Sequence, residues 1–175
     1  MWIKFDLDGM IFELKINNYI ANQTVDGDWV EVSHNFRFYD IINYSANREE
    51  LLLNYEVDKI RDCMENLLND KLSINKEYEG IEPDFCFIFK PKYDISNDPG
   101  VLYVKTGHEI IDISMELKVN LWDGGLTANY FSMTFDRNQI EQFYLYLSLI
   151  TKKIGIEDYR IQKLLENGVI YGDAR

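Results

Sequence analysis

Two cysteines and two histidines among 175 residues set the first limits on what this chain does. With so little imidazole, a histidine-based catalytic triad or a zinc centre is hard to assemble. Cys63 and Cys86 stand alone in apolar patterns without CxxC spacing, so they read as buried thiols rather than a disulfide. No apolar run approaches the roughly 18 to 20 residues needed to span a bilayer, and no basic stretch leads into an apolar one at the N-terminus. A soluble, cytoplasmic protein is the expectation. Positive charge is scarce too: 18 bases against 30 acids leave a formal charge of -12. Such an excess repels DNA, RNA and anionic membrane and is compatible with a basic protein partner. Solubility alone would account for it equally well. No serine stands in a GxSxG setting, and Asp123-Gly124-Gly125 lacks the strand-to-helix context of a phosphate loop. Neither a cofactor nor a metal is expected.

What the chain does have is 46% apolar residues arranged with clear periods. They predict one domain over 1–175, with its core in about 1–155 and a short C-terminal helix and tail in 156–175. The strongest pattern lies between His108 and Ile156. Ile111, Ile113, Met115, Leu117, Val119 and Leu121 occupy every second position, as in a half-buried strand. After Asp123-Gly124-Gly125 a second alternating run carries Phe131, Met133 and Phe135. A three-residue loop pairs Trp122 with Leu126, and then Leu117 faces Phe131, Met115 faces Met133 and Ile113 faces Phe135. From Asp136 the period becomes 3.6, with Ile140, Phe143, Tyr144, Leu147, Ile150 and Ile154 on one stripe. Asp136 and Gln139 form a capping box, and Gly155 suits the left-handed position past the end.

Earlier in the chain, Asp8-Gly9 separates two alternating runs, the strongest short hairpin signal. Closing there pairs Leu7 with Met10, Phe5 with Phe12, Ile3 with Leu14 and Lys4 with Glu13. Residues 17–28 are a polar connection, and Trp29 to Phe38 alternates again. The stretch 39–53 fits a hairpin turning at Ser45-Ala46-Asn47, with a helical end as the alternative. Asn54 caps a helix through about Asn69. Phe85 to Phe89, apolar on both faces and bounded by Pro83 and Pro91, is a central strand. Val101 to Val104 is a short strand. Ile161, Leu164 and Leu165 outline a last helix ending at Asn167-Gly168, followed by a loose tail. Strands, helix, strands, helix give an antiparallel α+β fold in two meander-plus-helix halves, with the helices on one face.

Several motifs bear on function. Phe5-Asp6-Leu7-Asp8-Gly9 looks like the DxDG signature of haloacid-dehalogenase-like phosphatases, in which Asp6 would be the nucleophile, Asp8 the general acid and magnesium the cofactor. Met10 replaces the usual Thr or Val, a matching strand follows, and no β-α alternation appears, so a turn is the better reading. His34 falls on an apolar strand face and is expected to be buried and hydrogen-bonded; His108 has no Cys or His near it. Two acid-rich patches carry aromatics: Asp26, Asp28 and Glu31 around Trp29, and Glu77, Glu79, Glu82 and Asp84 around Tyr78. They suit a basic protein partner through steering and a few anchors, or a strand edge defended by charge. A module whose aromatics line a small-ligand pocket is a further alternative.

Four segments together resemble the WapI-type immunity proteins. They are Trp29-Val30-Glu31-Val32, the helix Glu56-Val57-Asp58-Lys59-Ile60 to Leu67-Leu68, Ile81-Glu82-Pro83-Asp84-Phe85-Cys86-Phe87, and Tyr130-Phe131-Ser132-Met133-Thr134-Phe135-Asp136 running into a helix. The resemblance covers roughly 29–154, and its motifs are short and structural. It implies a small bacterial protein, encoded beside a wall-associated contact-dependent toxin, that neutralises that toxin by stoichiometric binding. A toxin acting on nucleic acid has a basic site that an acidic protein suits.

Overall fold

The computed structural model describes residues 1–21, 28–122 and 126–172. Asp8-Gly9 closes a two-residue hairpin between β1 (Trp2–Leu7) and β2 (Met10–Asn17) in the predicted register, with Phe5 opposite Phe12 and Lys4 opposite Glu13. Both turn residues have positive φ, 55° and 90°, as a primed turn requires. A side chain at Gly9 would also strike the Tyr39 ring, whose hydroxyl lies 2.7 Å from where a Cβ would be.

β3 (Trp29–Phe38) and β4 (Ile42–Leu53) complete a meander. The hairpin expected in 39–53 exists, but it turns at Tyr39–Ile41 instead of Ser45-Ala46-Asn47. Ala46 lies opposite His34 in mid-strand, and two register shifts, at Val30/Glu31 and Val32/His34, absorb the polar residues that look like a turn. The C-terminus adds β11 (Ile170–Tyr171) beside β1, giving the order β11-β1-β2-β3-β4. The tail expected to be loose is therefore paired as far as Tyr171.

The second sheet has the order β10-β9-β6-β5, from β5 (Lys76–Glu79), β6 (Phe85–Lys90), β9 (Ser114–Trp122) and β10 (Leu126–Phe135). β6 pairs with β5 on one side and β9 on the other, the central position expected of it. The β9–β10 register departs from the expected one. Trp122 pairs with Leu126, but beyond a bulge the partners are Val119 with Phe131, Leu117 with Met133 and Met115 with Phe135. Thr127 carries the irregularity: its hydroxyl donates to the Leu121 carbonyl at 2.7 Å and accepts the Asn129 N–H at 3.1 Å. The slip is two residues, so every side chain keeps its face. The Asp123-Gly124-Gly125 loop lies outside the described residues.

Between β6 and β9 an arm leaves the sheet. It holds β7 (Tyr93–Asp94), a short 3-10 turn at Ile95–Asn97, and β8 (Ile110–Ile111) paired with β7. Val101 to Val104, expected as a strand, is an irregular part of this arm.

Helix α1 (Asn54–Leu68) follows β4, α2 (Arg137–Ile150) follows β10, and α3 (Tyr159–Glu166) follows α2. Asp136 caps α2 in the expected box, its carboxylate accepting the Gln139 N–H at 2.9 Å while Gln139 returns the bond to the Asp136 N–H at 3.0 Å. All three helices end in the same double bond of the last turn, and Asp70, Lys152 and Gly168 take the left-handed position. For α2 that residue is Lys152, not the expected Gly155, because the helix stops earlier.

Both sheets are antiparallel. α1 and α2 pack on each other and touch strands of both, so the helix pair does not sit on one sheet's face alone. Phe5 meets Phe135 edge-on at 4.9 Å and Phe143 at 5.5 Å; Phe36 stacks on Phe131 at 3.9 Å. One continuous core results. Its central void, lined by Leu14, Ile60, Phe87, Phe143 and six other apolar residues, measures about 10 Å³. That is no room for a small ligand. Cys63 and Cys86 are both free and buried.

Candidate partner-binding surface

The described acidic and aromatic residues singled out in the sequence lie at the start of β3, on β5 and in the loop after β5, segments that hydrogen-bond to the first turn of α1. β4 is an edge of the first sheet and β5 an edge of the second. Glu56, in the first turn of α1, joins them. Its carboxylate accepts the Leu53 N–H at the end of β4 at 2.8 Å, the Ile81 N–H after β5 at 2.9 Å, and the Tyr78 hydroxyl on β5 at 3.1 Å. A carboxylate at a helix start also faces favourable dipole charge. Gly80 leaves it space, since a Cβ there would lie 3.2 Å from Glu56 Oε1.

Asn54 was expected to cap α1. It is instead the first helical residue, buried, and its side chain fastens the preceding connection: Oδ1 accepts the Ile20 N–H at 2.8 Å and Nδ2 donates to the Asp28 carbonyl at 2.7 Å. Glu56 serves the cap because its longer side chain reaches back to the Leu53 N–H.

Against this frame the predicted residues divide. Asp28 is exposed at the start of β3, Trp29 is half-buried opposite Leu53, and Glu31 is half-buried opposite Glu50. Glu77 and Glu79 are exposed on β5, and Glu82 is half-buried in the loop that follows. Tyr78 and Asp84 turn inward. The Tyr78 hydroxyl is committed to Glu56, and burial and that carboxylate hold its pKa above the usual phenol range. Asp84 is buried at the start of β6, where its carbonyl accepts the Asn120 N–H at 2.8 Å and the Pro83 carbonyl accepts from Asn120 Nδ2. Asp26 lies outside the described residues.

The two patches, some fifty residues apart in sequence, adjoin. Leu53, which lies opposite Trp29, bonds the same Glu56 carboxylate as Tyr78 and Ile81, and this brings the start of β3, the end of β4 and the loop after β5 together. Glu49 and Glu50, both exposed, extend the acidic surface between them. Sequence reasoning missed these two because it turned the 39–53 hairpin at Ser45-Ala46-Asn47, just before them; their signal was the pair of adjacent acids ahead of Leu51-Leu52-Leu53. The edge strand β5, short and acidic, also fits the expectation of an edge defended by charge.

The surface is acidic, with Glu49, Glu50, Glu77 and Glu79 exposed. Cys86, behind Glu77, donates its thiol to that carboxylate at 3.2 Å, and burial and the neighbouring charge push it up to about 12. It stays a thiol at neutral pH and is a poor nucleophile. At the other candidate site, Asp6 Oδ1 accepts the Gly9 N–H at 3.2 Å and Asp8 occupies the turn itself. β1 runs from that turn into an antiparallel partner, not into the strand-to-helix cradle that the phosphatase reading needs.

His34 is 3% exposed, as expected, but neither ring nitrogen has a hydrogen-bond partner among the described residues. The expectation of a hydrogen-bonded histidine is corrected. The strands opposite it present rings instead, Phe85 at 5.4 Å and Tyr44 at 5.8 Å, and burial lowers its pKa to about 4.

Among the described residues no helix is long and apolar enough to cross a membrane. No curated protein matches the chain. The immunity protein WapI-like family matches residues 3–155, which includes the N-terminal hairpin that the resemblance read from the sequence left outside and stops just after α2. By that match, which takes in both sheets' meanders and the helices α1 and α2, the chain belongs to the WapI-like immunity protein family.

Proposed function

We propose that this protein neutralises a cognate toxin domain in the producing cell's cytoplasm by forming a stoichiometric complex, and that the partner's contact surface is basic. The family match over 3–155 carries this reading. The acidic surface near the start of α1 supports its electrostatic part: Asp28, Glu31, Glu49, Glu50, Glu77, Glu79 and Glu82 are exposed or half-exposed, and Trp29 is half-buried. With a chain charge of -12, such a surface steers a cationic partner and raises the rate of encounter. A toxin that handles nucleic acid has a basic site of this kind.

The experiment is titration of the full chain into the toxin domain encoded beside it. One-to-one binding and loss of toxicity at equivalence are expected, and no complex at micromolar concentration would end the reading. Replacing Glu31, Glu79 and Glu82 together by Gln is expected to slow association several-fold at low salt and to flatten its salt dependence, with the unfolding temperature unchanged.

A further inference from the structure

The arm between β6 and β9 presents apolar side chains to water. Tyr93, Val101, Leu102, Tyr103, Ile110 and Ile111 are all exposed; Leu102 is bare and Tyr103 is 82% exposed. Six large apolar side chains exposed on one segment of a folded domain point to a contact site.

The arm is held in shape. Asp94 accepts the Ser96 N–H, Asp98 the Gly100 N–H and Glu109 the Gly107 N–H, each at 2.8 Å. Its base is clamped to both long helices. Asp112 takes a two-pronged bond from Arg137 at the start of α2, 2.9 Å on each prong, and burial is too slight to offset it, so its carboxyl is held down to about 2. Arg137 also donates to the Leu68 carbonyl at the end of α1, and Asp70 beyond that end bonds Lys92 at 3.0 Å. A loop braced at both ends loses little entropy when a partner covers its tip.

Charge selects the occupant. A second copy and an anionic bilayer both meet a chain of charge -12, and from Lys92 to Asp112 the arm sets Lys92 and Lys105 against Asp94, Asp98, Glu109 and Asp112. We infer that the arm is a hydrophobic anchor for a basic protein partner, with Val101, Leu102 and Tyr103 entering an apolar recess rimmed by cationic side chains. The inference rests on the toxin-binding reading above and adds to it a second contact, beyond the end of β6 opposite to Asp84. β6 is about 17 Å long, less than the width of an ordinary interface, on the order of 30 Å.

The test uses the full chain, the neighbouring toxin domain and calorimetric titration of Leu102→Asp and Tyr103→Ala. Both residues are exposed, so folding is expected to be unaffected, and an unchanged unfolding temperature checks this. Expected is a Kd weakened about 30-fold by Leu102→Asp, the loss of one anchor, with the salt dependence kept. Wild-type binding that neither substitution alters would overturn the anchor and leave the toxin-binding reading intact. Absence of binding by the wild type would remove both. A wild-type dimer dissolved by Leu102→Asp, or Leu102-dependent flotation with phosphatidylcholine vesicles, would assign the tip to another occupant and overturn the proposal.

Discussion

Glu56 and His34 are buried almost equally, 1% and 3% exposed, and both lie where the two sheets come together, yet their surroundings differ completely. Glu56 is met by three donors from three segments. His34 is met by rings and by no donor or acceptor among the described residues. The first is a polar group that ties a fold together, since each partner would be stranded without it. The second adds shape and costs desolvation, and it holds the sheets together only while it is neutral. The acidic surface at the start of α1 is built around the first kind of group.

Removing the tie has the largest expected effect. Glu56→Ala strands the Leu53 and Ile81 N–H groups and the Tyr78 hydroxyl, and is expected to cost about 3 to 5 kcal/mol in denaturant unfolding. Glu56→Gln keeps an acceptor and should lose less; equal losses would mean that the charge, not the geometry, carries the tie.

His34 comes next. Its folded pKa of about 4 lies below the ordinary 6.5, so the unfolded chain takes up the proton first. The corresponding stability is complete above pH 6.5 and is lost as pH falls from there to 4, in all about 3 kcal/mol. Unfolding midpoints between pH 7.5 and 4.5 measure it. His34→Phe should remove that slope and stabilise the protein by roughly 1 kcal/mol at pH 7, because an aromatic of similar shape leaves no orphan nitrogen. A destabilised His34→Phe with the slope intact would show that the ring is not the orphan the structure describes.

The smallest effect concerns a buried hydroxyl with a modest set of partners. Tyr146 Oη accepts the Ile16 N–H at 3.0 Å and donates to the Met1 carbonyl at 3.1 Å. Tyr146→Phe is expected to cost about 1 to 2 kcal/mol. A cost as large as that of Glu56→Ala would erase the distinction between neutral and charged ties.

Much of the fold was legible. The β1–β2 register followed from one dipeptide and alternation, and the capping box at Asp136 from two residues three apart. Tyr39–Ile41 was missed because its turn contains an Ile and a Tyr with positive φ, whereas Ser45-Ala46-Asn47 has turn composition but lies opposite β3. Of the contact surface, the acids were visible and their neighbourhood was not. Asp84 is buried, and the Asn120 N–H that bonds its carbonyl comes from a strand that no local pattern connects to it. The arm's apolar tip looked like a short strand because Val101 to Val104 has strand composition; it pairs with no strand among the described residues and stands exposed.

Periodicity, turn chemistry and composition along the chain sufficed for the β1–β2 hairpin, the strand at Phe85, the helices α1 and α2 and the negative charge, because each is a property of single residues or of neighbours within a few positions. Tertiary structure alone decided that two acidic patches adjoin, that Glu56 is answered while His34 is not, and that Leu102 stands in water. Those outcomes depend on which segments meet across tens of residues, and a side chain's hydrogen-bond partners and solvent are set by that meeting.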